Sequence, residues 1–185
     1  MNYADVADLR AYSGIDTEDD DAYLNTLLGA AAEIINGKTN RVFKVETPTN
    51  RTYRRIRGQT SPWDSSVLFL GAELAEAAVS ITGTPTVVYL PEDRPPYDAI
   101  MLDSTDTVGW SDPTVINGYW GYSKTPPATI VEISLRIAKW LRDLANTKPV
   151  DFVTVTAFGQ VIVPSKLPAD ILIALGPWIK PAIGG

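Results

Sequence analysis

Apolar residues between positions 22 and 38 fall on one side of a helix. Leu24, Leu27, Leu28, Ala31, Ile34 and Ile35 recur at i, i+3, i+4, i+7, i+10 and i+11, the spacing of an amphipathic helix. Val6 and Leu9 mark a shorter helix over residues 4–12, stopped by Ser13-Gly14. The strongest helical pattern runs over 128–146. Ile130, Ile133, Ile137, Leu141 and Leu144 form its apolar face, and Glu132, Arg136, Lys139 and Asp143 its polar one. Pro126-Pro127 opens it, with Ser123 or Thr125 as the expected N-cap. A last short helix over 167–180 is led by Pro168 and broken near Gly176-Pro177. For the helix over 22–38, Asn36-Gly37 is the expected stop or fraying point.

Between residues 41 and 122 the texture changes. Short β-prone runs at 52–57, 66–70, 79–81, 86–90, 99–102 and 114–119 alternate with Pro, Gly and Asp clusters. Residues 71–78, GAELAEAA, read as a loop with a helical turn, and 91–98, PEDRPPYD, as an exposed excursion. Two further β-prone runs around Ala157-Phe158-Gly159 read as a hairpin over 150–163. The expected fold is therefore α+β: a helical platform of about three to four helices, an inserted small antiparallel β-section, and a C-terminal β-hairpin plus short helix. Residues 1–44 and 123–185 are expected to form the helical core, and 45–122 the β-rich insertion.

Composition narrows the chemistry. The 185 residues include no cysteine and no histidine, which removes disulfides, thiolate catalysis, the commonest zinc ligand and any Ser-His-Asp arrangement. No leader pattern and no apolar run long enough to span a bilayer appears, so a soluble chain is expected. The formal net charge of −6 disfavours a general affinity for nucleic acid. That charge is uneven. Residues 1–33 hold acids at 5, 8, 16, 18, 19, 20, 21 and 33 against the one base Arg10, whereas RTYRRIR at 51–57 concentrates four arginines. Such blocks suit charge-complementary surfaces between subunits.

Each candidate site has a plainer structural reading. The run Glu18–Asp21 offers hard oxygen ligands, but it lacks the glycine and distal glutamate of a calcium loop. Asp19, Asp20 and Asp21 read first as the acidic start of a helix, and as interface candidates. Arg51, Arg54, Arg55 and Arg57 are either a charged edge strand and interface or a phosphate grip. Asp103, Asp106 and Asp112 look like turn residues. Trp120 and Trp140 read as core, while Trp178, beside a proline-broken helix, is the better candidate for a partner surface. Gly118, Trp120, Gly121, Pro126 and Pro127 read together as a structural joint: INGYWGY as the last strand, bent around a buried Trp120, then a proline-set helix start. No catalytic group, cofactor or metal is assigned.

Three stretches carry a resemblance that spans most of the chain. They are YADVADLRAYSGIDTEDDDAYLNTLLGAAAEIINGKTNRVF (3–43), the middle with VLFLGAELAEAAVSIT, YLPEDRPPYDAIML and INGYWGYSKTPPATI, and the end VIVPSKLPADILIALGPWIK. In order they resemble the head–tail connector (adaptor, neck) proteins of tailed bacteriophages. The resemblance implies a structural virion protein at the head–tail interface, made in the bacterial host cytoplasm. It implies a homo-oligomeric ring, typically twelve-fold, docked on the portal protein. The next neck or tail-completion protein would attach below, and DNA would pass without sequence-specific contact. It also implies no enzymatic activity and no cofactor or membrane. The long β-insertion departs from the shortest members. The competing readings are a DNA-binding packaging or regulatory factor using Arg51–Arg57, and a carboxylate-and-metal enzyme using Asp19–Asp21.

Overall fold

The computed structural model describes residues 1–15, 20–54, 66–92, 94–107, 109–147 and 167–180. The chain divides into two compact units, one made of Met1–Arg41 with Pro126–Gly185 and the other of Val42–Thr125.

The first unit is helical: α1 (Val6–Ser13), α2 (Asp21–Thr39), α3 (Ala128–Thr147) and α4 (Ala169–Leu175), followed by a 3₁₀ turn at Gly176–Trp178. Helix α3 packs against α1, α2 and α4. The apolar stripes legible in the sequence meet at these contacts. Leu24, Leu27, Leu28, Ala31 and Ile35 of α2, and Ile130, Ile133, Ile137 and Leu141 of α3, are all buried. Helix α2 runs past the expected Asn36-Gly37 stop, to a C-cap at Asn40 with φ 53° and ψ 36°. The Asn40 amide donates to the Asn36 carbonyl at 2.8 Å, and asparagine is one of the few non-glycine residues that tolerates this left-handed cap. The start of α3 also differs from expectation. Its first amide bonds, from Ile130 (2.9 Å) and Val131 (3.1 Å), go to the Pro127 carbonyl. Proline therefore occupies the cap, and Ser123 and Thr125 lie too far upstream to serve.

The second unit holds two three-stranded antiparallel sheets, ordered β1-β6-β3 and β2-β5-β4. Their strands are β1 (Thr49–Tyr53), β2 (Val67–Leu74), β3 (Ser80–Ile81), β4 (Val87–Leu90), β5 (Tyr97–Leu102) and β6 (Thr114–Gly118). Leu70 and Leu74 of β2, Ile100 of β5, Ile116 of β6 and Trp120 form one core drawn from both sheets. Residues 71–74 are strand, not the expected helical turn. The pairing of β2 with β5 shifts register between Phe69 and Leu74, and Gly71, at φ 63°, sits in that bulge, where a left-handed residue is needed. Leu74 then bridges to Trp120, and the Ala75 amide donates to the Tyr119 carbonyl at 2.8 Å. Local helix propensity in AELAEAA yields to this long-range pairing. Strand β1 starts earlier than the expected 52–57, and β5 takes Tyr97 and Asp98 from the expected excursion. The expected hairpin over 150–163 lies outside the described residues.

Candidate interaction surfaces

The glycine–tryptophan stretch acts within the β-unit. Strand β6 ends at Gly118, so INGYWGY is not one continuous strand. Trp120 follows as an isolated bridge. Its indole Nε1 donates to the Thr49 carbonyl at 2.8 Å, which satisfies the one polar atom of a side chain only 9 % exposed. Gly121 lies where the chain segments 42–45 and 121–123 run together. A Cβ on Gly121 would stand 2.5 Å from Val45 Cγ2 and 2.8 Å from the Val42 carbonyl oxygen. The Tyr122 amide donates to that same carbonyl at 2.7 Å, and the Ser123 hydroxyl to the Phe43 carbonyl at 2.9 Å. The Phe43 and Tyr122 rings lie 5.3 Å apart. The segment that enters the β-unit and the one that leaves it are thus bonded side by side. At Gly118 a Cβ would meet Leu74 Cδ1 at 2.5 Å, so both glycines are set by close approach and not by an unusual φ.

The arginine strip is placed only in part. Arg55 and Arg57 lie outside the described residues. Strand β1 is an edge of its sheet, and Thr49–Thr52 are exposed on it. Arg51, although exposed, lies over the Trp120 ring, with its guanidinium carbon 4.6 Å from the ring centroid, a cation–π contact. Tyr53, on the same strand, donates its hydroxyl to the Leu70 carbonyl at 3.0 Å. Burial pushes the Tyr53 phenol above its ordinary pKa, and the nearby Arg51 guanidinium partly opposes this. Arg54 is exposed just beyond the strand.

Of the acidic run, Asp19 lies outside the described residues. Asp20 is the N-cap of α2 without a side-chain cap hydrogen bond, although its carbonyl accepts from the Leu24 amide at 2.9 Å. Asp21 Oδ1 stands 3.6 Å from Arg10 Nε, which ties the start of α2 to α1. Among the described residues no group of three or more acidic side chains is placed to hold a metal ion. Asp103 and Asp106 are turn-formers. Asp103 Oδ1 accepts from the Thr105 amide (2.8 Å) and hydroxyl (2.6 Å), and these bonds hold its carboxyl below the usual range. Asp106 accepts from the Thr86 and Gly109 amides.

The C-terminal surface of the helical unit is built on the end of α2. The Lys180 amide donates to the Thr39 carbonyl at 2.8 Å, and Arg41 Nη1 donates to the Trp178 carbonyl at 3.0 Å. Arg136 on α3 pairs with Asp170 on α4. Trp178 is half-buried in the 3₁₀ turn. The exposed apolar residues are its neighbours, Leu172 (43 %), Ile173 (76 %) and Ile179 (48 %). Sequence reasoning passed over these three, although the unbroken run ILIAL signals a helix apolar on more than one side. Trp140 is half-buried on α3.

Residues 3–60 match the family of phage gp6-like head-tail connector proteins. The match covers the opening helices, where the resemblance read from the sequence begins, and spans less than a third of the chain. The fold is similar to a chain described as "Neck of empty GTA particle computed with C6 symmetry", at 15 % identity and a TM-score of 0.56, covering 99 % of this chain and 92 % of that one. A chain from "Virion of native gene transfer agent (GTA) particle" matches at 12 % identity and a TM-score of 0.48, with the same 99 % and 92 % coverage. No curated protein matches by sequence. Among the described residues no helix is long and apolar enough to cross a membrane.

Proposed function

We propose that this chain is a structural subunit of the neck of a tailed-phage-like particle, a head–tail connector that joins capsid to tail. The observation that carries this is the connector-family match over residues 3–60. The full-length likeness in fold to a neck chain supports it. In this reading copies assemble into a ring, twelve-fold beneath the portal, with the next neck protein below and DNA passing through. In it the segments 1–44 and 123–185 make the ring core, and 45–122 is an added β-lobe. The chain works by contact and not by catalysis, needing no cofactor.

A ring of about twelve copies at −6 each carries on the order of −70, a charge that repels phosphates and lets DNA slide. Arginines 51–57 lining the channel in an assembled particle would contradict that part of the reading. The deciding experiment is co-purification with the portal protein followed by particle imaging. Rings on the portal are expected; absence of both ring and portal binding at every salt concentration would overturn the reading.

In the duplex-binding alternative Arg51 would have to serve phosphate while its guanidinium also rests over the Trp120 ring. That alternative predicts salt-dependent duplex affinity that drops with Arg54→Ala. The connector reading predicts no change beyond the weak, general effect of one removed charge.

A further inference from the structure

The sheet β2-β5-β4 carries apolar rows on both faces. Directly paired residues share a face, and the row Leu68–Ile100–Tyr89 belongs to the core of the unit. The alternating rows are Val67–Met101–Val88 and Phe69–Ala99–Leu90. They alternate with the core-facing rows and carry no polar side chain; Ala99 at their centre is buried, and Val67, Val88, Leu90 and Met101 are partly buried. Phe69 is 57 % exposed. The sequence bears the same mark, since VLFL, AIML and VVYL are unbroken apolar runs, the pattern of strands covered on both sides. Glu92 and Asp103 follow the ends of β4 and β5, and Asp98 lies near the start of β5, against the one base Arg94 in the connection between those strands, so the charge around the sheet is net acidic. With no Lys or Arg on the rows, nucleic acid is a poor occupant and a protein surface a good one.

The chain carries a surface of matching kind on its helical unit. Leu172, Ile173 and Ile179 are exposed there. The Lys180–Thr39 and Arg41–Trp178 bonds bring Arg41 and Lys180 to the border of that patch, with Lys38 next to Thr39 in sequence; its one acid, Asp170, is paired with Arg136, so the border is net basic at a helix C-terminus. We propose that the outer face of β2-β5-β4 receives the α4 surface of a second copy of this chain. Like-to-like pairing of either surface would set acids against acids or bases against bases, whereas head-to-tail pairing matches apolar centre to apolar centre and acidic rim to basic rim. A contact between two different surfaces of each copy propagates around a ring. The inference thus rests on the ring reading above and names the surfaces that join neighbours.

The absence of cysteine makes the test clean. Phe69→Cys and Ile173→Cys are made separately in the full chain, one of them tagged, with Leu172→Cys as a second α4 probe. Wild-type self-association is measured first, alone and with the portal protein. Under mild oxidation the mixture should give a tagged–untagged disulfide dimer at several-fold the yield of either variant alone. Dominant Phe69→Cys homodimers would overturn the inference. So would cross-linking confined to a single chain in the double variant, or intact rings without any cross-link; the ring reading survives these results. Failure of the wild type to self-associate under either condition would overturn the ring reading and the inference with it.

Discussion

Trp120 is held from three directions. Its indole N–H is bonded to the Thr49 carbonyl, Arg51 covers one ring face, and the Tyr53 ring stands 6.3 Å away. Truncation removes a core member and strands the Thr49 carbonyl, so Trp120→Ala should lower unfolding free energy by about 3–5 kcal/mol. Denaturant titration of the full chain checks this, and a loss below roughly 1 kcal/mol would mean the side chain is not structurally buried. The two glycines rank differently. Added at Gly121, a methyl group meets a backbone carbonyl at 2.8 Å, which cannot swing aside, whereas at Gly118 its nearest atom is the end of the Leu74 side chain. Gly121→Ala should therefore destabilise by about 1–3 kcal/mol, and more than Gly118→Ala. Equal midpoints for the two variants would contradict that ranking. Arg51→Ala should cost only about 0.5–1 kcal/mol while exposing Trp120, read as a red shift in tryptophan emission.

Among the elements, α3, like α2, packs on every other helix of its unit. Ile137, at its centre, is fully buried, and Ile137→Ala should cost about 2–5 kcal/mol in the same titration. Helix α2 ends on a left-handed asparagine, so Asn40→Gly should be neutral or slightly stabilising. Asn40→Ala should lose about 1 kcal/mol, because a Cβ without a compensating side-chain polar group is strained at that φ. If the alanine variant melts with the wild type, the cap is not left-handed in solution. In the β-unit, the bulge at Gly71 turns β2 from pairing with β5 alone toward its bridge with Trp120, which joins the two sheets across one core.

For the molecule as a whole, the titrating groups act at the two ends of the pH scale. Burial raises the Tyr53 and Tyr89 phenols, and a hydrogen bond to Glu76 raises Lys124. Folded pKa values raised in this way give stability that is full below the unfolded value near 10 and is lost as pH rises through the folded value. Asp103 and Glu46 are lowered, chiefly by hydrogen bonds to Thr105 and Lys44. Their contribution is present above the unfolded carboxylate value near 4 and disappears on acidification. With no histidine or cysteine, no side-chain type ordinarily titrates between roughly 5 and 9. Urea midpoints should accordingly be flat across that interval, falling above about pH 10 and below about pH 4. A step near pH 6–7 would contradict this account.

The chain's local periodicity determined the helices, because a stripe at i, i+3, i+4 and i+7 can be buried only as a helix. It also determined most strand positions, and the composition removed whole classes of chemistry before any fold was known. Tertiary structure decided what depends on distant partners. GAELAEAA reads as helical until β5 and Trp120 claim Leu74 and Ala75 by pairing. Arg51 reads as one charge of a basic strip, and only the fold gives it an aromatic partner, Trp120, sixty-nine residues later in the chain. Ser123 reads as a helix cap until the Phe43 carbonyl takes its hydroxyl. The exposed Leu172, Ile173 and Ile179 surface follows from which side of α4 the other helices occupy, and no local pattern states that. Burial and hydrogen bonding are assigned between segments far apart in sequence, so a single segment carries its own propensity but not the identity of the neighbour that satisfies it.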